Sequence, residues 1–213
     1  DQRRILAGRI ESGHLSTGDV LLFSPSNKTA RVTSIESWNT AEPVLVAHAG
    51  QSVGITLDEQ LFIERGQVAS QRFHAPMLTN VFRGRLFWLG HKPLKPGNRY
   101  KLKLNTAEHL VEVQSIERVI DVADLGASTA ETVERNSIAE VVLRSRGMMA
   151  ADPFEANMFM GRFVLIEDYD IVAGGLISME GYADQRPAQA QKATNIFRVE
   201  HRVPTEERWR ANG

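Results

Sequence analysis

The sequence predicts an all-β chain folded as two antiparallel β-barrels in tandem, and three observations carry that expectation. Short β-like runs recur along the first 180 residues: Leu6–Ile10, Asp19–Phe23, Ala30–Ile35, Ser52–Leu57, Asn80–Leu89, Tyr100–Leu104, Leu110–Ile116, Ile138–Leu143, Phe163–Ile166 and Gly174–Ser178, a spacing typical of sandwiches and barrels. Turn residues punctuate them, in Glu11-Ser12-Gly13, Ser16-Thr17-Gly18-Asp19, Ser24-Pro25-Ser26-Asn27 and Lys95-Pro96-Gly97-Asn98, where Gly supplies a positive φ and Pro a fixed one. Within the runs apolar and polar residues alternate. Tyr100, Leu102 and Leu104 share one face against Lys101 and Lys103, and Val53, Ile55 and Leu57 alternate with Gly54 and Thr56, as in half-buried strands.

The pattern breaks once, in the polar stretch from Gln71 to Met77 with its Pro76, before a new apolar run starts at Val81. One break between two strand sets implies domains at 1–75 and 76–183. After Tyr182 the chain turns polar, Ala/Gln-rich and unpatterned through Lys192, so residues 184–213 read as a linker. Inside it a short strand is expected at Asn195–Val199, and Pro204-Thr205-Glu206-Glu207 has the Thr cap and acidic first turn of a helix start.

Composition narrows the function classes. The 213 residues are 42% hydrophobic and 24% charged, enough for two domains of roughly 100 residues with real cores. Lys+Arg 25 against Asp+Glu 26 gives a formal net charge of -1, without the global positive field of a non-specific nucleic-acid binder. The absence of cysteine excludes disulfides, thiolate metal sites and a cysteine nucleophile. No apolar run reaches the roughly 18 residues that would mark a membrane span, and no membrane role is expected. The start at Asp1-Gln2-Arg3-Arg4, without Met and running straight into a strand, is expected to mark a piece of a longer polypeptide.

Specific residues carry a resemblance. Ala7-Gly8-Arg9-Ile10-Glu11-Ser12-Gly13 with Thr17-Gly18-Asp19, then Ala49-Gly50-Gln51-Ser52-Val53-Gly54-Ile55-Thr56-Leu57 and Ile63-Glu64-Arg65-Gly66-Gln67-Val68, resemble the second domain of the elongation factor Tu superfamily. In this reading Gly8 permits a close strand approach, Gly13 and Gly18 close turns, and Arg9 and Glu11 share an outer face. In the second half, Phe82 to Leu89, Pro93-Leu94, Gly97 to Leu104, Ile116 to Asp121, Asp152-Pro153-Phe154, Gly161 to Ile166 and Gly174 to Ile177 are similar to the third domain of the GTPase subunit of sulfate adenylyltransferase. The stretch His201 to Arg208 with Asn212-Gly213 resembles the lead-in to adenylylsulfate kinase.

The resemblance implies a translation-factor domain II-like barrel followed by an elongation factor domain III-like barrel, both belonging to the large subunit of a sulfate-activating enzyme. Such a parent couples GTP hydrolysis to formation of adenylylsulfate and pyrophosphate from ATP and sulfate, and a fused kinase would phosphorylate the product. GTP, ATP and Mg are its implied cofactors. Its implied partners are its own GTPase domain, a small catalytic subunit and a C-terminal adenylylsulfate kinase domain, in the cytoplasm. No phosphate-cradling Gly-rich loop ending in Lys-Ser/Thr occurs in these 213 residues, so the chain itself is expected to hold no catalytic, cofactor-binding or metal-binding residue. Arg9, Glu11, Arg65 and Arg118 are the candidates for domain or subunit contacts, because charges at partner surfaces fix orientation. The alternative is a translation-factor-like RNA-binding module.

Other motifs have blander readings. His14, His48, His74, His91, His109 and His201 lie far apart in sequence without the spacing of metal ligands. Glu167, Asp168 and Asp170 flank Tyr169 between apolar runs, as a solvated hairpin turn would. Gly174-Gly175 reads as a strand kink, and Asp124 to Ala130 as a flexible loop. Arg83, Arg85 and Arg99 beside Phe87, Trp88 and Tyr100 offer cations and rings for stacking on a nucleic acid, but their alternation favours a packed interior with a charged exterior.

Overall fold

The first strands assemble around a small apolar core. The computed structural model describes residues 4–37, 42–120, 127–128 and 131–186. Strands β1 (Leu6–Arg9), β3 (Val20–Ser24), β4 (Lys28–Glu36), β6 (Ser52–Leu57) and β7 (Val68–Gln71) form an antiparallel sheet in the order β1-β6-β4-β3-β7, while β2 (His14–Ser16) and β5 (Val46–His48) pair with each other. The first barrel is thus built in two pieces around one core of Leu21, Phe23, Ala30, Val32, Ile35, Ala47 and Ile55. Ala47 carries the ribbon into that core, and Thr17 N donates to Leu45 O at 2.9 Å to hold it there. Gly18, at φ +95°, closes the turn into β3, where Asp19 Oδ2 accepts from Ser16 N at 2.9 Å.

Two details of this barrel differ from the sequence reading. A side chain on Gly8 would meet nothing within 4 Å, so Gly8 answers no close approach on the exposed strand β1. Strand β6 is covered on both faces: Gly54 and Thr56 are buried alongside Ile55, because the Thr56 hydroxyl is bonded to those of Thr33 and Ser34 where β4 bulges.

A short 3-10 turn (Arg72–His74) leads from β7 to the second set of strands. These are β8 (Met77–Trp88), β9 (Arg99–Leu104), β10 (Ala107–Ile120), β11 (Ala127–Ser128), β12 (Ile138–Ala151), β13 (Arg162–Glu167) and β14 (Asp170–Ser178). The ladder runs β10-β12-β8-β14-β13-β9 and returns to β10, which closes a six-stranded barrel; β11 adds to the free side of β10. Alternation in β9 is as expected, with Tyr100, Leu102 and Leu104 inward and Arg99, Lys101 and Lys103 outward.

Aromatic rings fill the barrel. Phe82 and Phe163 meet edge to face at 5.7 Å between centroids, and Trp88 meets Tyr100 at 5.4 Å. Trp88 is 1% exposed, and its indole N–H donates to Lys92 O at 3.0 Å, which satisfies the one polar atom that a buried Trp carries. A Cβ on Gly90 would lie 2.5 Å from that ring. Leu94, fully buried, is bonded through its backbone to Val133 and closes the same end.

The Glu167–Asp170 segment is a hairpin turn, with Asp168 at φ 54° and Tyr169 fully exposed. Gly174-Gly175 is not a kink in the middle of β14. Gly175 is required because a Cβ there would lie 2.4 Å from the Phe163 ring, whereas one on Gly174 would meet nothing within 4 Å. Within the stretch expected as a flexible loop, Ala127 and Ser128 pair with Ile120 and Val119. The expected strand at 195–199 and helix start at 204–210 lie outside the described residues.

The start of the expected linker is also bound tightly. Leu78 N donates to Asp184 Oδ1 at 3.0 Å, Gln185 N to Leu78 O at 2.8 Å, and Gln185 Nε2 to Asn80 Oδ1 at 3.0 Å. Arg186 donates to Ala75 O at 2.9 Å and also to Pro76 O. Residues 184–186 therefore strap the first turn of β8, a role for which polar side chains suffice and apolar periodicity gives no sign.

The two neighbouring glycines make a sharp test. Gly175→Ala should lower unfolding free energy by about 1–3 kcal/mol through overpacking, while Gly174→Ala should leave it unchanged or raised, as read by urea denaturation of both variants.

Candidate partner-binding surface

The exposed charges of both barrels are organised by strand alternation. Outward residues on neighbouring strands form ion pairs, Arg85 with Glu140 at 2.9 Å and Arg99 with Glu112 at 2.8 Å, and Arg83 of β8 reaches past β12 to Glu117 of β10 at 2.6 Å. The cations considered for stacking on nucleic acid are thus matched by carboxylates. Of their neighbouring rings, Trp88 and Tyr100 lie inside the barrel and only Phe87 reaches the surface.

The four contact candidates fall at three separate places. Arg9 Nε and Glu11 Oε1 come within 3.7 Å on the outer side of the first barrel, as the shared face predicts. Arg65 stands in the turn before β7, beside a groove of about 440 Å³ between the barrels that Ser26, Glu64, Gln67, Glu108, His109 and Met148 help to line. Arg118 is exposed on β10, far along the strand from that groove.

Close packing unites the two barrels at the groove. Gly66, at φ +95°, lies against the start of β10 so tightly that a Cβ on it would be 2.7 Å from Ala107 Cα. Lys103, through a hydrogen bond and its charge, and then Lys101 and Arg65 hold the Glu108 carboxyl below its ordinary range. Burial pushes the neighbouring His109 imidazole down, toward its neutral form. Neither Gly66 nor His109 stands out in the sequence as an interface residue, because their proximity exists only once the barrels are folded. The Glu64-Arg65-Gly66-Gln67 turn was the one available signal.

Burial, helped by Glu167, pushes the Tyr100 phenol up to about 12, so it stays protonated, with Asn98 Oδ1 3.3 Å away. His14 and His48, distant in sequence, face each other across β2 and β5 with ring centroids 6.4 Å apart. Among the described residues no group of three His, Asp or Glu side chains is placed to hold a metal ion. Among the same residues no helix is long and apolar enough to cross a membrane.

Comparison with known proteins fits this architecture. Residues 81–178 match the family model for GTP-eEF1A C-terminal domain-like domains. The chain is 30% identical over 207 residues to the bifunctional enzyme NodQ of Azospirillum brasilense, covering 96% of this chain and 32% of that protein. Both barrels are similar to sulfate adenylyltransferase subunit 1. To that subunit from Alteromonas mediterranea (strain DSM 17117) it is 27% identical over 194 residues, covering 91% of this chain and 40% of the subunit. It therefore spans 32% to 40% of the length of these relatives. The crystal structure of Sup35 complexed with GDP shares the fold, at a TM-score of 0.76 and 21% identity over 83% of this chain and 44% of that one.

Asp152 gives a pH test of the strap region. Burial raises its carboxyl above the usual 3.8 despite the bond from Met77 N, so the folded protein binds more protons than the unfolded chain above that value. Stability contributed at low pH is then lost as pH rises through the folded value. Asp152→Asn, which keeps the acceptor oxygen, should flatten the loss that sets in as pH rises above the usual carboxylate range, as measured by urea denaturation at pH values below and above that range.

Proposed function

We propose that this chain supplies the two-barrel, non-catalytic part of the large subunit of a GTP-dependent sulfate adenylyltransferase. The observation that carries this reading is the similarity to NodQ and to sulfate adenylyltransferase subunit 1 over nearly the whole chain, through both barrels. In the parent, GTP hydrolysis drives attack of sulfate on the α-phosphate of ATP, giving adenylylsulfate and pyrophosphate. GTP, ATP and Mg are bound outside these barrels, by the GTPase domain and by a small catalytic subunit. An adenylylsulfate kinase domain follows, and the enzyme works in the cytoplasm.

In this reading residues 1–75 and 76–183 act as two domains of one platform. Residues 184–186 are bonded to β8 and to Ala75 just before it. Arg9, Glu11, Arg65 and Arg118 belong to the surfaces that meet the GTPase domain or the small subunit. Arg9 and Arg118 are exposed, Glu11 is half-buried beside Arg9, and Arg65 lines the inter-barrel groove, and charge at such surfaces sets orientation and association rate. A GTPase switch would reach the small subunit as movement of these barrels.

Two measurements test the proposal. Incubated with GTP, ATP, sulfate and Mg, this chain alone should make no adenylylsulfate and release no phosphate; turnover by it would refute the non-catalytic assignment. Immobilised small subunit should bind the large subunit, and charge reversal at Arg65 or Arg118 should weaken binding roughly tenfold with the fold intact. Absence of binding by the wild type, or steeply salt-dependent tRNA binding by this chain, would favour the RNA-binding alternative.

A further inference from the structure

We propose that the outer face of β13, β14 and β8 is a self-association surface, which pairs with the same face of a second copy of this chain about a two-fold axis. Strand register assembles the face. Val164, Gly174 and Phe87 stand side by side in one cross-strand row, and Ile166 stands opposite Ile171 in the next. Leu89 follows Phe87 by two residues and so shares its side. Between the outward residues, Phe163 and Leu165 point into the core. Phe87 is 37% exposed, Leu89 39% and Ile171 57%.

Gly174 leaves a recess in the face, since a Cβ there would meet nothing within 4 Å, and its row neighbours Val164 and Phe87 form the walls. Contiguous exposed apolar surface of this kind marks interaction sites.

The ends of the face indicate the occupant. At one end Arg162 donates to Met158 O and lies over the Phe159 ring, so its charge has no carboxylate partner among the described residues. At the other end the hairpin tip carries Asp168 and Asp170 around the fully exposed Tyr169, and no cation pairs with either among the described residues. Arg162 and Asp168 lie equally far in sequence from Leu165, at the middle of β13. Seven residues at about 3.3 Å each put the two ends about 20 Å apart. A two-fold axis over Leu165 sets the cationic end of each copy against the acidic tip of the other, and the two apolar rows against each other. An isologous contact requires this self-complementarity, and a heterologous one does not.

The face is small. Three strands about 4.8 Å apart give several hundred Å² per copy, below the roughly 800 Å² of a standard interface. The pairing is therefore reversible and concentration-dependent, and it is independent of the sulfate-activation reading.

Sedimentation equilibrium of the full chain from about 1 to 200 μM covers the affinity range of so small an interface. A reversible monomer–dimer equilibrium is expected. Phe87→Glu and, as an independent variant, Leu89→Glu should raise the dissociation constant about tenfold or more, with circular dichroism reporting an intact fold. Arg162→Asp and Asp170→Arg should each weaken the dimer, and the two together in one chain should restore it. A monomer at every concentration overturns the proposal. So does a dimer indifferent to both glutamate variants, or a double charge swap no better than either single change.

Discussion

Pairing between the end of β9 and the beginning of β10, from Ala107 opposite Leu104 to Glu112 opposite Arg99, is the constraint on which the second barrel depends. It turns a sheet into a ring, which leaves as free edge only the part of β10 beyond β9, where β11 pairs. Strand β10 serves two neighbours to do so, pairing with β9 over its first half and with β12 over most of its length. The register shifts around Gln114 and Glu117 supply the bend that closure needs. Once the ring is closed, its interior volume is fixed, and Phe82, Trp88, Tyr100 and Phe163 fill it. Gly84 and Gly175 follow from that filling, because the Phe163 ring occupies the space where their side chains would be.

Closure also divides the chemistry into two sides. Inward positions are apolar, and the one phenol among the inner rings is held protonated by burial. Outward positions carry charges that satisfy one another across strands. The packing of Gly66 on Ala107 joins both barrels, so a force applied to one is passed to the other.

Long strands with strict alternation were legible in the sequence, β9 above all, since a half-buried strand repeats every two residues. Trp88 was legible only as one ring of an apolar run; its place as the plug of a barrel end, held by Lys92 and crowded by Gly90, needed the fold. Strands β2, β5 and β7 were missed because three or four residues are too few to display a period. The difference between Gly174 and Gly175 was invisible, since it depends on the position of Phe163, a residue of another strand. The strap of Asp184, Gln185 and Arg186 was read as linker for a related reason: it is held by backbone hydrogen bonds and a guanidinium, which leave no hydrophobic pattern. For the site, the pairing of Arg9 with Glu11 followed from local spacing, whereas the inter-barrel groove around Arg65 and His109 is a product of tertiary packing.

The central claim is that these barrels belong to an enzyme in which GTP turnover is tied to sulfate activation. Its most direct measurement is adenylylsulfate formation by the full-length protein that carries this chain, mixed with the small subunit, ATP and sulfate, with and without GTP. The account predicts formation that rises with GTP and is accompanied by GTP hydrolysis. Formation indifferent to GTP, or none at all from a folded complex, would contradict it.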